Sequence, residues 1–330
     1  MNMLKFDFKT YNNKYVNNDK LNAYQEKNAY IKSLFSKEEL QHWTNINTYV
    51  SNEELDQIKN VSQEIRKIAD VFIVIGIGGS YMGAKAVIDA LSPTYSKNKP
   101  EIIFLGKNIN PNEYIEVLEY IKDKEVAVNV ISKSGTTLEP SIAFDLVLEF
   151  MKEKYQEDEL KKRIIITTDE KTGTLREMVN TYGYQSFVVP TIVGGRYSVF
   201  TPVGLLPIAV AGLDIDKLLL GVKNAMTEQL DNAIVYATIR DIMYNCDKVI
   251  ESYTIYDEKL NYLAEWLKQL YAENHGKEQK GILPISNVNT RDLHSMGQFI
   301  QDGTRTMFET VLNIKNPATH TFINPKYKNS

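Results

Sequence analysis

The chain has 330 residues, 43% of them hydrophobic and 24% charged, which is typical of a soluble globular protein of one large or two ordinary domains. Its net charge of −4, without a long run of lysine and arginine, argues against a nucleic-acid-binding surface. The single cysteine, Cys246, excludes an intramolecular disulfide, and no apolar stretch is long enough to cross a bilayer. We therefore predict a cytoplasmic protein without a membrane or nucleic-acid partner.

The first part of the chain, residues 1–70, is polar and rich in asparagine, lysine and glutamate, with the spacing of helices. Ser51 followed by Glu54 is a capping-box pattern, which predicts a helix that begins there and ends near Ile68. We predict that residues 1–70 form an N-terminal helical segment.

Between residues 71 and 200, apolar runs typical of buried strands alternate with helical patterns. The predicted strands are 71–75, 102–105, 126–131, 163–168 and 187–189, and the predicted helices are 81–91, 112–121, 139–154 and 172–182. Such alternation is typical of a doubly wound parallel α/β sheet, in which ligands bind beyond the carboxyl ends of the strands.

Near residue 200 the pattern changes, because long helical patterns begin there. The predicted helices are 203–211, 216–227, 234–246 and 257–274, and the predicted strands are 249–255, 281–286 and 307–313. We predict a second α/β unit over residues 201–330, whose tail from residue 315 onward is polar and lacks a core pattern.

Three loops rich in glycine, serine and threonine follow strand-like runs, at residues 76–80, 132–137 and 194–198. The first two open onto predicted helices, whose unpaired N–H groups and partial positive charge favour phosphate. The loop 132–137, Ser-Lys-Ser-Gly-Thr-Thr, places four hydroxyls in six residues, which favours a bound anion over an ordinary turn. Together the loops predict a phosphate pocket.

The sequence does not match the known nucleotide-binding motifs at the positions that contact phosphate or magnesium, and it shows no metal-binding motif. The dinucleotide pattern would need glycine where Tyr81 stands, and a P-loop would place Ala84 and Ala86 where glycine and the magnesium-binding hydroxyl belong. Only four histidines are present and no paired-cysteine spacing exists, so we predict no metal. A small phosphorylated metabolite, handled without a cofactor, is the ligand that the sequence favours.

Five segments together resemble the glucose-6-phosphate isomerase family, which is built from sugar isomerase (SIS) domains. They lie at residues 74–84, 129–140, 193–199, 265–277 and 292–298, and include Val-Gly-Gly-Arg-Tyr-Ser-Val at 193–199. The resemblance implies two doubly wound parallel-sheet SIS subdomains, at 71–200 and 201–330. It also implies the reversible aldose–ketose isomerisation of glucose 6-phosphate and fructose 6-phosphate, in glycolysis and gluconeogenesis.

The resemblance carries binding roles onto residues of the first two loops. It implies that Ser132, Ser134 and Thr137 bind the phosphate of the substrate. It implies further that Gly79 and Ser80 line the sugar end of the same pocket. Lys133 ranks below these residues, because in the family its backbone matters more than its ammonium group.

The resemblance implies catalytic roles for three residues and a binding role for a fourth. Glu273 would move the proton between C1 and C2, and Gln269, one helical turn earlier, would help to hold the substrate. Arg196 would stabilise the charge that develops on the sugar oxygens. His294 would assist ring opening, reaching the pocket from a partner subunit, so that the resemblance implies a homodimer.

Elementary chemistry agrees with these roles. Isomerisation through an enediolate needs one base that takes and returns a proton, and a carboxylate in a partly dry pocket has its pKa raised toward neutrality. Glu273 ends the helical run 257–274, next to a turn. Arginine holds its charge at any relevant pH and donates in a fixed plane, which suits Arg196 to a developing oxyanion. The imidazole of His294 titrates near neutrality and can carry a proton to a ring oxygen.

The resemblance ends near Asn313. The family continues into a segment of the type Gln-x-Gly-Val-Glu that carries a lysine active in ring opening, and no such segment follows in this sequence. The resemblance thus predicts a chain truncated at its C-terminus relative to the family, with an incomplete second subdomain. The alternative is a non-catalytic sugar-phosphate-binding SIS protein, or an inactive fragment of the isomerase.

Overall fold

The computed structural model describes residues 5–7, 15–35, 37, 49–95 and 99–315. Residues 316–330, which the sequence analysis assigns to the second subdomain, lie outside the described residues. Within the described ranges, every helix falls short of the length and apolarity that a membrane span requires.

The N-terminal segment contains three described helices, α1 (Asn18–Asn22), α2 (Gln25–Leu34) and α3 (Asn52–Ile68). The predicted cap of α3 is confirmed, since the Ser51 hydroxyl accepts a hydrogen bond from the Glu54 N–H at 3.1 Å. Helix α3 buries Ile58, Val61 and Ile65 against the first sheet, because these residues share one face of the helix.

Five parallel strands form the first sheet, as the strand–helix alternation predicts. They are β1 (Val71–Ile75), β2 (Glu101–Leu105), β3 (Val126–Ile131), β4 (Ile164–Thr168) and β5 (Gln185–Val188), in the order β2-β1-β3-β4-β5. All residues of β1, β3 and β4 are buried, because apolar side chains cover both faces of the sheet. This arrangement confirms the α/β class with a doubly wound parallel sheet.

The helices of this sheet are α4 (Gly79–Leu91), α5 (Pro111–Ile121), α6 (Leu138–Lys154), α7 (Glu157–Arg163) and α8 (Thr174–Tyr182). The sequence analysis did not predict α7 and began a strand at Arg163, which in fact ends this helix. Helix α7 has acidic residues in its first turn and basic residues in its last turn, an arrangement that complements the helix dipole. The nearly buried Arg163 side chain then pairs with Glu125 and Glu159.

The remaining described elements include a smaller, three-stranded parallel sheet and five helices, of which the first two, at Pro202–Val210 and Ile215–Glu228, bury apolar residues in the core of the first sheet. The strands are β6 (Ile250–Ile255), β7 (Leu283–Val288) and β8 (Met307–Leu312), in the order β7-β6-β8. The helices are α9 (Pro202–Val210), α10 (Ile215–Glu228), α11 (Leu230–Tyr244), α12 (Asn261–His275) and α13 (Gly297–Asp302). The single helix predicted over 257–274 is wrong at its start, because a 3₁₀ turn at Glu258–Leu260 precedes α12.

Helix α12 lies where the two sheets meet. It packs on β6 and β7 on one side, and on α4 and the 3₁₀ turn Gly195–Phe200 on the other. Close approach of α4 to this turn depends on Gly83, since a Cβ there would lie 2.8 Å from the Cβ of Val199. The contact brings α12 beside the carboxyl ends of the first sheet's strands.

Candidate active site

A cavity of about 480 Å³ opens beyond the carboxyl ends of β1, β3 and β4. Its lining is Ile77, Ser80, Ile131, Ser132, Lys133, Ser134, Thr137, Pro140, Asp169 and Thr172. The structure thus places four of the predicted binding residues, Ser80, Ser132, Ser134 and Thr137, around one space. Ligands of doubly wound sheets bind at this end of the strands.

A larger groove of about 950 Å³ lies at the opposite, amino ends of the strands. Asp70, Glu101 and Lys124 line it together with other acidic and basic side chains. No glycine is among the described residues that line it, and the chemistry expected of this sequence lies at the other end of the sheet. We therefore place the candidate site in the smaller cavity.

Hydrogen bonds within the loop between β3 and α6 fix its conformation. The Gly135 N–H donates to the Ser132 hydroxyl at 3.1 Å, and the Thr136 N–H donates to the Ser134 hydroxyl at 3.2 Å. Gly135 has a φ of +72°, and a Cβ there would lie 2.5 Å from Thr174 Oγ1, so glycine is required. The loop delivers its hydroxyls to the cavity at the start of α6.

The N-terminus of α6 faces this cavity. Thr137 is the N-cap residue, yet within the described helix its side chain makes no capping hydrogen bond. Its hydroxyl and the first N–H groups of the helix can therefore bind an anion, which the helix dipole also favours.

Two charged residues, Lys133 and Asp169, belong to the cavity lining. The Lys133 ammonium donates to the Thr191 carbonyl at 2.8 Å and is therefore tied to another loop. Asp169, which the sequence analysis did not single out, accepts hydrogen bonds from the N–H groups of Lys171 and Thr172. These bonds hold the pKa of the Asp169 carboxyl below its usual range, so a fixed negative charge lies at the rim of the cavity.

A second group of side chains gathers around the C-terminal turn of α12. Gln269 Nε2 donates to Glu273 Oε1 at 2.9 Å, and Arg196 Nη1 donates to Glu273 Oε2 at 2.8 Å. The Glu273 side chain is 48% exposed and that of Arg196 is 23% exposed. Glu273 is therefore an ion-paired, half-exposed carboxylate, more open to solvent than the partly dry pocket that the sequence analysis expects around the base.

Asn274, which the sequence analysis did not single out, also belongs to this group. Its Oδ1 accepts hydrogen bonds from Arg196 Nε at 3.1 Å and from Nη2 at 2.7 Å. Trp266, which lies earlier on α12, donates from Nε1 to the Arg196 carbonyl at 2.9 Å. The only sequence signal for Asn274 was its position next to Glu273.

The turn after β1 joins the cavity to the Glu273 group. Ser80 lines the cavity, whereas a Cβ on Gly79 would lie 2.1 Å from the carbonyl group of Gly195. Gly78 has a φ of +58°, and a Cβ there would lie 3.0 Å from Gln269 Nε2. Glycine at these positions therefore lets one short turn contact the cavity on one side and the surroundings of Glu273 on the other.

Among the described residues, His294 has no hydrogen bond or ion pair with the other predicted site residues. It ends the 3₁₀ turn Arg291–His294 after β7, is exposed, and is not part of the cavity lining. Within the described residues, no group of three or more histidine, cysteine, aspartate or glutamate side chains is arranged to hold a metal ion.

Comparison with known sequences places the chain in a family. The sequence model described as Phosphoglucose isomerase matches residues 13–320. The glucose-6-phosphate isomerase of Caldanaerobacter subterraneus subsp. tengcongensis is 48% identical over 295 residues, 86% of this chain and 65% of that protein. The glucose-6-phosphate isomerase of Acetivibrio thermocellus is 45% identical over 300 residues, 87% of this chain and 67% of that protein. The chain thus spans about two thirds of the length of the curated relatives that it matches.

Solved structures share the fold. A glucose-6-phosphate isomerase from Chlamydia trachomatis superimposes with a TM-score of 0.75 at 22% identity, covering 90% of this chain and 66% of that one. A hypothetical protein from Thermus thermophilus superimposes with a TM-score of 0.79 at 26% identity, covering 89% of this chain and 72% of that one. Because the family model matches residues 13–320, which is most of this chain, the chain belongs to the phosphoglucose isomerase family.

Proposed function

We propose that this chain carries the active site of a glucose-6-phosphate isomerase, which interconverts glucose 6-phosphate and fructose 6-phosphate in glycolysis and gluconeogenesis. One observation carries the proposal. The Glu273 carboxylate, bound to Arg196 and Gln269, is joined through the glycine turn 76–80 to a hydroxyl-lined cavity of about 480 Å³. Such a volume is in the usual range for a small-molecule site.

The phosphate of the substrate would bind at the start of α6. Ser132, Ser134 and Thr137 supply hydroxyls there, and the N-terminus of the helix supplies N–H groups and a partial positive charge. The Lys133 ammonium is tied to Thr191, so hydroxyls and backbone carry the binding. The sugar would extend past Ser80 and Gly79 toward Glu273.

Proton transfer would be the work of Glu273. It would remove the proton from C2 of the open-chain aldose, while the C–H electron pair forms a C1–C2 double bond and the carbonyl oxygen becomes negative. The same carboxyl would return the proton to C1, while the hydroxyl proton on O2 passes to O1 and C2=O becomes the ketose carbonyl, so one base serves both carbon atoms. Arg196 would stabilise the negative oxygen of the enediolate, and Gln269 would orient the carboxylate through its bond to Oε1.

Ring opening would involve His294 of a second copy of the chain. The histidine is exposed and does not line the cavity of its own chain, and it lies on a segment where Leu293, Met296 and Phe299 are also exposed. Exposed apolar side chains in one short segment suit burial against a partner. A homodimer that shares its histidines is therefore part of the proposal, and the cytoplasmic location stays a prediction.

Turnover of fructose 6-phosphate, coupled to a glucose-6-phosphate dehydrogenase, tests the function. We expect activity in this chain and its loss in Glu273→Gln, with binding of the phosphosugar retained in calorimetry. Binding without turnover in both proteins would favour the non-catalytic sugar-phosphate-binding alternative. Absence of binding as well would overturn the proposal.

Mixing two inactive variants tests the shared site. Chains with Glu273→Gln and chains with His294→Gln are each expected to be inactive. A dimer of one chain of each kind would combine one intact Glu273 with the partner's intact histidine, and would regain part of the activity. Continued inactivity of the mixture, with mixed dimers demonstrated, would show that His294 does not act across an interface.

A further inference from the structure

Within the proposed isomerase site, we propose that Asn274 is a positioning residue for Arg196. Its amide would fix the guanidinium in the orientation that stabilises the enediolate, without contacting the substrate itself. The proposal rests on the proposed function, and it assigns a role to a residue that neither motif chemistry nor charge singles out.

The Asn274 amide uses its full hydrogen-bonding capacity. Its Oδ1 accepts from Arg196 Nε and Nη2, at 3.1 and 2.7 Å. Its Nδ2 donates to the Tyr197 hydroxyl and to the Leu270 carbonyl, both at 2.6 Å. A rotated amide would turn two N–H groups toward a cation, so the network admits one orientation only.

Arg196 needs such support because its backbone follows two glycines, Gly194 and Gly195, which restrict a loop least. The guanidinium carbon lies 5.0 Å from the centre of the Tyr197 ring. One side chain of α12 therefore ties both neighbours, Arg196 and Tyr197, to the helix that carries Glu273. The base and the cation are held by adjacent residues of one helical turn.

The hydrogen-bond pattern leaves Arg196 able to bind a ligand. An arginine side chain has five N–H groups, and here Nε, Nη1 and Nη2 each use one toward Asn274 or Glu273. One N–H on each terminal nitrogen has no acceptor among the described residues. Two donors in one plane suit an oxygen of an enediolate.

The Asn274 amide is neutral, which distinguishes it from a carboxylate at the same position. Glu273 already offers Arg196 one negative charge, at 2.8 Å. An aspartate at position 274 has nearly the same shape, but it would add a second negative charge and weaken the attraction of Arg196 for a developing oxyanion. An amide holds the guanidinium while leaving its charge available.

Steady-state kinetics of Asn274→Ala and Asn274→Asp test the proposal. Both variants are expected to lower kcat about 10- to 100-fold, as misplaced or neutralised catalytic groups do, while KM changes less than about threefold. Asn261→Ala, the same substitution at the first residue of α12, is the matched control and should leave both constants unchanged. A rise in KM with unchanged kcat would overturn the positioning role.

A double-variant cycle asks whether Asn274 acts through Arg196. In an Arg196→Lys background, which lacks the planar fork, Asn274→Ala is expected to have little further effect on kcat. An equal loss in both backgrounds would mean that Asn274 acts independently of Arg196, and would overturn the proposal.

Nitrogen-15 NMR gives a readout that does not depend on turnover. The Arg196 Nε–H signal, assigned through its loss in Arg196→Lys, is expected to shift and exchange faster with water in Asn274→Ala and to persist in Asn261→Ala. An unaltered signal in Asn274→Ala would overturn the proposal even in an active enzyme. An inactive wild-type chain with the expected NMR response would instead refute the proposed function alone.

Discussion

Arg240 and Glu251 form an ion pair buried beneath the helix that carries Glu273. Arg240 Nε donates to Glu251 Oε2 at 2.6 Å, and the two side chains are 6% and 0% exposed. Arg240 also lies 4.0 Å from the ring centre of Tyr271 on α12. The pair therefore links α11 and β6 to the helix turn on which the site is built.

The buried carboxylate is fully provided with donors. Glu251 also accepts from the hydroxyls of Tyr236 at 2.5 Å, Thr310 at 2.7 Å and Tyr253 at 3.1 Å. Burial, reinforced by this carboxylate, raises the pKa of Tyr236, so that its proton stays in place as a donor. A charge so buried is tolerated because it is paired and hydrogen-bonded.

Breaking this pair should therefore be costly. We expect Arg240→Met to lower the free energy of unfolding by about 3–5 kcal/mol, because Glu251 is left as an uncompensated buried charge. Arg291→Met removes an arginine that is 64% exposed and paired at the surface, and should change the same quantity by less than about 1 kcal/mol. Urea unfolding measures both, and equal losses would contradict the difference expected from burial.

The stability of the chain should fall on mild acidification through His275. Burial, with a contribution from Arg240 and Lys277 that outweighs Glu251, lowers the pKa of His275 from 6.5. The unfolded chain then binds the proton more readily, so this contribution is present above about pH 6.5 and is lost as pH falls below it. Tm should thus fall less between about pH 7.5 and about pH 5.5 in His275→Asn than in the wild type. Identical slopes would mean that His275 is not the responsible group.

Close packing at Gly79 should tolerate no side chain. A Cβ there would lie 2.1 Å from the backbone of Gly195, so we expect Gly79→Ala to destabilise the chain by about 1–3 kcal/mol and to displace Arg196. Gly221→Ala, inside α10 with no atom within 4 Å of the added Cβ, should be neutral or stabilising by up to about 1 kcal/mol. Thermal unfolding of both variants measures these changes in stability. A stable, active Gly79→Ala protein would show that Gly79 and Gly195 are not in such close contact.

Phosphate binding should depend on the Thr137 hydroxyl. Hydrogen bonds to a charged group contribute about 1.5–3 kcal/mol, so Thr137→Ala should weaken binding of a 6-phosphosugar by about 10- to 100-fold. Thr227→Ala, on the exposed side of α10, removes a hydroxyl that bonds only to its own helix and should not change the affinity. Calorimetry with fructose 6-phosphate measures both, and equal affinities would place the phosphate elsewhere.

Local patterns determined the fold class and much of the site. The β-branched runs at Val71–Ile75 and Val126–Ile131 bury both faces and therefore had to be central parallel strands. Because strand ends meet at one edge of a parallel sheet, the loops after these two strands were predicted to share a pocket, and they line one cavity. Helix α7 was missed because its seven residues are mostly charged and show no apolar period.

Tertiary structure alone decided how the charged groups pair. Arg196 and Asn274 lie 78 positions apart, and their contact exists only because Gly79 and Gly83 let α4 approach the turn at Gly195–Phe200. The burial of Arg240 with Glu251 likewise depends on how α11 and α12 pack on β6. The sequence by itself thus determined which strands form and where hydroxyls gather, since those follow from local period and helix ends. The partner of each charged side chain depends on distances between remote segments, which only the packed fold sets.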